Sequence, residues 1–154
     1  MVIKMKITLE QINGGSEEVI IRYKQMTERI EGLVRYLEGQ EEKISVYKER
    51  QQYLISISDI IYLESVEGVT FLYTENEVYK INMTLMSFES LYAKEGFFRC
   101  SKAMIINIYR IRKLKSMPGS RIDAAMDNEE HIIISRRYAK ALRDVLRGGI
   151  RCLD

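Results

Sequence analysis

Two short runs, Arg99-Cys100-Ser101-Lys102 and Ser135-Arg136-Arg137, set hydroxyls and permanent cations directly beside apolar sequence. Hydroxyl, ammonium and guanidinium groups all donate to phosphate oxygens, and Arg or Lys also fits the acceptor pair on a guanine edge. A third run, Arg110 to Lys115, adds more cations. Such residues suit recognition of a polyanion better than bond-making. Bond-making is thinly supplied. The single histidine, His131, stands beside Ile132, Ile133 and Ile134, where a strand histidine near a turn is the simpler reading. A Ser/His or Cys/His pair would need that one imidazole, and a zinc site could draw only on it and two distant thiols, Cys100 and Cys152. Gly14-Gly15 and Gly148-Gly149 lack the strand-to-helix context and the lysine of a phosphate-binding loop. Carboxylates are abundant, but no pair stands out. No enzymatic activity, cofactor, metal or small-molecule substrate is expected.

Charge is segregated along the chain. Residues 1–96 carry 11 Lys or Arg against 16 Asp or Glu, a net of −5, and residues 97–154 carry 13 against 6, a net of +7. A basic half on a near-neutral chain is the footprint of a polyanion-binding surface. The alternative is that the two halves neutralise each other within one fold. At 154 residues, 46% apolar and 30% charged, the chain suits one domain, or one domain with a small extension. There is no apolar run of membrane-spanning length, no signal-peptide block, and too few cysteines for a disulfide scaffold. A cytoplasmic location is expected.

The elements that must position the cations come in two textures. Residues 1–10 alternate, with Ile3, Met5, Ile7 and Leu9 opposed to Lys4, Lys6 and Thr8, the pattern of a half-buried strand. A turn over QINGGSEE and a second strand at 18–23 follow. Met26, Ile30, Leu33, Val34 and Leu37 then recur at helical spacing over 25–38. Residues 1–42 therefore read as a β-β-α extension. From residue 43 the pattern changes to short strands at 44–49, 52–58, 60–65, 69–74 and 78–83, with VEG and ENE as hairpin turns. A helix at 84–93 bears Leu85, Phe88 and Leu91 or Tyr92. Met104, Ile105, Ile106 and Ile108 make a buried strand, and 121–126 and 131–134 a hairpin. The last helix has Ser135 as N-cap, Tyr138, Leu142, Val145 and Leu146 as its buried stripe, and Gly148-Gly149 as its stop. Its opposite stripe carries Arg136, Lys140, Arg143 and Arg147, which is either a solvated face or an anion-facing one. Arg136 and Arg137 sit in the first turn, where the helix dipole already favours anions and disfavours cations. The whole is mostly β with short helices, an α+β chain with a domain over 43–154.

Four motifs in order, DIIYLES (59–65), LMSFESL (85–91), GFFRCSKAMIIN (96–107) and IIISRRYAKAL (132–142), resemble the LytTR-type DNA-binding domain of bacterial transcription regulators. The resemblance runs from about Lys43 to Leu146. It implies an elongated, antiparallel β fold whose loops enter successive major grooves of double-stranded DNA, usually as a homodimer on repeated half-sites. By the same resemblance Lys102 and Arg137 read bases, while Ser101, Ser135, Arg136 and Lys140 contact phosphates. Thr70 lies at the DNA-facing end of a second reading loop, residues 65–70. Ser101 stands where the family usually has histidine, and Ala103 where it usually has serine. Asn107 is a family hallmark read here as structural. Cys100 reads as a core thiol, with a bridge to Cys152 as the alternative. No aspartate precedes Asp59, so residues 1–58 hold no aspartyl phosphoacceptor. Residues 1–42 could dimerise, add packing, or dock an inhibitor, because stand-alone members of the family are associated with small membrane-protein inhibitors.

The leading expectation is a sequence-specific DNA-binding transcriptional regulator. The alternative is a protein-interaction adaptor whose basic edge binds an acidic partner. Single-stranded RNA binding ranks behind both, because only Tyr109 and Tyr138 interleave with the basic residues.

Overall fold

A computed structural model describes residues 5–149 of the chain. Regular structure begins with helix α1 (Glu28–Leu37), capped by Thr27, whose hydroxyl accepts from the Ile30 N–H at 3.3 Å. Glu28 and Glu31 in its first turn suit the helix dipole. Ahead of it, residues 5–27 contain no strand, which corrects the two strands expected at 1–10 and 18–23 over their described residues. Alternation supplies the side-chain pattern of a strand but not a backbone partner or a surface to cover its apolar face. Ile7, Leu9, Val19 and Ile20 are all exposed. The stripe of α1 is scarcely used either, since Ile30 is buried while Met26, Leu33 and Leu37 are exposed.

Ten strands follow. A seven-stranded sheet takes β1 (Lys43–Lys48), β2 (Gln51–Ser56), β3 (Tyr62–Val66), β4 (Val69–Tyr73), β5 (Val78–Ile81), β6 (Phe97–Ser101) and β7 (Met104–Asn107) in the order β2-β1-β5-β4-β3-β7-β6. Helix α2 (Leu85–Tyr92) lies between β5 and β6 in the chain. A three-stranded sheet, β10-β9-β8, holds β8 (Ile111–Met117), β9 (Arg121–Met126) and β10 (His131–Ile134), and helix α3 (Arg136–Gly149) closes the described chain. Every strand pairing is antiparallel. The fold is mostly β with short helices, as the sequence pattern implies.

The large sheet is covered on both faces. Leu63, Leu72, Ile81, Phe97 and Ile105 turn toward Leu85, Phe88 and Tyr92 of α2. Their neighbours Tyr62, Cys100 and Ile106 enter a second cluster with Ile122, Ala124 and Met126 of β9, Ile132 and Ile134 of β10, and Ala139, Leu142 and Leu146 of α3. Burial on both faces is why 60–63 and 104–106 read as unbroken apolar runs. Each such side chain, fully buried, contributes about 1.5–3 kcal/mol.

Several local expectations shift. In α2 the buried stripe is Leu85, Phe88 and Tyr92, with Leu91 exposed. In α3 Val145 is exposed and Ala139 takes its place, because the helix meets the sheets along i, i+3 and i+7. The helix also continues through Gly148 and Gly149. Strands β6 and β8 were hidden by their charges. Tyr109 leans over Gly96, which has φ +92°; a Cβ there would fall 2.3 Å from the Tyr109 ring, so only glycine suits this turn.

Asn107 is structural, as expected. Buried at the end of β7, it donates from Nδ2 to the Ile60 carbonyl at 2.8 Å and accepts at Oδ1 from the Tyr109 N–H at 3.1 Å. Cys100 is a free core thiol, and burial pushes its pKa up to about 12, so it stays neutral. Cys152 lies outside the described residues. His131 opens β10 and its Nδ1 lies 2.8 Å from Asp123. No described helix is long and apolar enough to cross a membrane.

Candidate nucleic-acid interface

Two hairpin tips meet at one end of the large sheet. The β3–β4 turn uses Glu67 and Gly68, both at positive φ (49° and 81°), the two-residue turn that matches strand twist. The β6–β7 turn uses Lys102 and Ala103. Because β3 pairs with β7 at Glu64 and Met104, and the Ser65 N–H donates to the Ala103 carbonyl at 2.8 Å, the tips lie side by side.

Within the second tip the residues divide by direction. Lys102 is exposed. Half-exposed Ser101 accepts the Ala103 N–H at 3.2 Å, which leaves its O–H free to donate outward. The register slips between Arg99 and Ser101, a bulge of the kind that re-aims side chains. Arg99 turns inward. Its Nε donates to the Ser101 carbonyl at 2.8 Å and its Nη2 to the Lys102 carbonyl at 2.5 Å, while Nη1 meets Glu89 of α2 at 3.2 Å. Of the two cations in the run, one faces out and the other is spent on the backbone.

Thr70 does not face solvent. It is 4% exposed in the middle of three strands, paired with Ser65 and Ile81. The pleat that turns Val69 outward turns Thr70 inward, so its expected place at the DNA is corrected. The first tip is Glu67-Gly68 instead.

At the second site, half-buried Ser135 links β10 to α3 and its carbonyl accepts from the N–H groups of Tyr138 and Ala139, both at 3.0 Å. Arg136 and Arg137 are exposed in a first turn that has no acidic residue, and Lys140 is exposed one turn on. The Arg137 guanidinium lies 5.5 Å from the Tyr138 ring centroid. Among the described residues, Lys102, Arg136, Arg137 and Lys140 make no ion pair. The two sites border one core cluster, since Cys100 and Met104 flank the Lys102 tip and Tyr138 and Ala139 follow Arg137. Helix α3 packs on β6 as well as β9.

The third basic run splits. Arg110 is structural: its Nε and Nη2 donate to the Ser58 carbonyl at 2.9 and 2.6 Å, with Asp127 and Asp59 at 3.5 and 3.8 Å. Arg112, Lys113 and Lys115 stay exposed along the edge strand β8. Their clustering was visible; their strand was not. Among the described residues no group of three or more His, Cys, Asp or Glu could hold a metal ion.

Comparison with known proteins supports the family and the fold. The model of the LytTr DNA-binding domain matches residues 50–147. The transcriptional regulatory protein YpdB of Escherichia coli K12 is 29% identical over 104 residues, 67% of this chain and 43% of YpdB. The sensory transduction protein LytT of Bacillus anthracis is 30% identical over 105 residues, 68% of this chain and 43% of LytT. The chain thus spans less than half the length of these two relatives. An uncharacterised HTH-type transcriptional regulator of Staphylococcus aureus NCTC 8325 is 25% identical over 146 residues, 92% of this chain and 98% of that protein. A solved LytTr DNA-binding domain from Bacillus cereus has a TM-score of 0.65 and 25% identity, covering 69% of this chain and 97% of the other.

Proposed function

The chain belongs to the LytTr DNA-binding domain family, a family of DNA-binding regulator domains rather than of enzymes, and on that premise we propose that it is a sequence-specific, cytoplasmic transcriptional regulator. The Lys102 tip and the Arg137 helix start enter successive major grooves of double-stranded DNA and read bases. Ser101, Ser135, Arg136 and Lys140 hold phosphates. The observation that carries this reading is that Lys102, Arg136, Arg137 and Lys140 are exposed and free of carboxylates among the described residues, although both sites rest on one rigid core cluster. Unpaired cations on one side of a fold raise the local concentration of a polyanion.

Anisotropy of labelled DNA from the protein's own upstream region, read against excess scrambled competitor at two salt concentrations, tests it. Binding that survives the competitor is expected. Lys140→Ala should weaken cognate and scrambled DNA alike and lower the salt slope by about 1, as loss of one phosphate contact does. Binding erased by the competitor would replace this reading with an adaptor for an acidic protein partner.

Two copies would share the half-sites. The exposed apolar residues of 7–37, among them Ile7, Leu9, Val19, Leu33 and Leu37, support a homodimer through this segment, which is also where a small membrane-protein inhibitor would compete. Light scattering should then give twice the 18.1 kDa chain mass. A monomer at every concentration would remove the segment from the dimer account.

A further inference from the structure

The tip that carries Lys102 has a brace of its own. Every carbonyl of a tip needs donors, and one left bare at a surface meant for phosphate would repel it. Here one guanidinium ties the strand end to the turn, donating Nε to the Ser101 carbonyl and Nη2 to the Lys102 carbonyl, while Nη1 is held by Glu89 of α2 at 3.2 Å and the Ala103 carbonyl accepts from the Ser65 N–H. The arginine side chain is only 24% exposed, and Phe98 and Cys100 on either side of it belong to the core.

We propose that Arg99, oriented by Glu89, is a positioning residue that fixes the Ser101–Lys102 tip for base reading, without itself touching DNA. This rests on the DNA-reading function proposed above. The planar fork matters. Three separate donor directions reach two carbonyls and a carboxylate at once, which a lysine ammonium on a flexible stem does not reproduce. The ion pair with Glu89 also offsets the charge of Arg99, leaving Lys102 as the outward cation of this tip. A brace of this kind acts on discrimination rather than on bulk attraction. It holds one geometry that a cognate site matches, whereas non-specific binding depends on charge and tolerates a loose tip.

Arg99→Lys keeps the charge and most of the stem, so it separates the brace from electrostatics. In the free protein, amide order parameters at Ser101–Ala103 should fall from about 0.85 toward 0.6. On DNA, the ratio of cognate to scrambled affinity should drop about tenfold, with scrambled affinity and salt slope unchanged and with melting within a few degrees of the parent. Glu89→Ala should move both readouts in the same direction by less. Unchanged order parameters would overturn the proposal. So would equal losses on both DNAs with a salt slope reduced by about 1, because that marks a direct phosphate contact. If the unmodified protein shows no discrimination at all, the DNA-reading function fails instead. The relaxation measurement then still decides whether Arg99 fixes the tip.

Discussion

Replacing Lys102 and Arg137 together by alanine is expected to abolish sequence discrimination while leaving the fold intact. Both side chains are exposed and make no ion pair among the described residues, so their removal leaves no buried partner unsatisfied. Arg137 sits at the start of α3 with its guanidinium over Tyr138, and its stem is the only packing at stake. A single base-reading arginine is worth about 1–3 kcal/mol and relaxes specificity at one position. Two such contacts on separate elements should add, to about 2–6 kcal/mol. Arg137→Ala alone should therefore lose about 5- to 150-fold on cognate DNA, and much less on scrambled DNA. Competition anisotropy with both DNAs measures the difference. Equal loss on the two would make Arg137 a phosphate contact and not a reader.

The largest effect on stability is expected from Phe88→Ala. Phe88 is fully buried on α2, edge-on to Phe97 with centroids 4.9 Å apart and tilted against Tyr92 at 4.8 Å. Removing a phenyl group from such a site costs about 3–5 kcal/mol through lost transfer energy plus the cavity left behind. That is a large share of the 5–15 kcal/mol typical of a domain. The midpoint of urea unfolding should fall with little change in slope. Discrimination on DNA should fall too, because the next residue, Glu89, orients Arg99. A variant within about 1 kcal/mol of the parent would mean that α2 repacks around the smaller side chain.

How far these features were legible in the sequence depended on what each residue faces. The strands over 60–83 were legible because alternation, Gly68 and short polar breaks agree with one another. Asn107 was legible because an amide at the end of an apolar strand has backbone groups within reach. Strands β6 and β8 were not. Arg99 interrupts β6 as a loop residue would, yet its charge is consumed by the turn that follows, and β8 is an edge whose cations face water. Thr70 was misplaced by one step of the pleat, which a stretch such as SVEGVT does not fix until the turn is known. The early alternation misled in the opposite direction, since a strand pattern without a neighbour remains a pattern. Lys102 and Arg137 stand out by resemblance and by their chemistry, and both are exposed. The inward path of Arg99 was not legible, because an arginine's place in a sequence does not say whether it serves a ligand or its own main chain.

No described residue before Ile44 belongs to either core cluster, and Ile30, the one buried side chain of α1, lies in neither. What stands ahead of Lys43 among the described residues thus adds hydrogen bonds, such as that of the Ile57 N–H to the Glu42 carbonyl, but no side chain to either cluster. In relatives more than twice as long as their matched stretch, a similar stretch sits within a larger chain. A part whose interior closes without help from its front end behaves as a cassette. Segments joined ahead of such a part need not enter its interior.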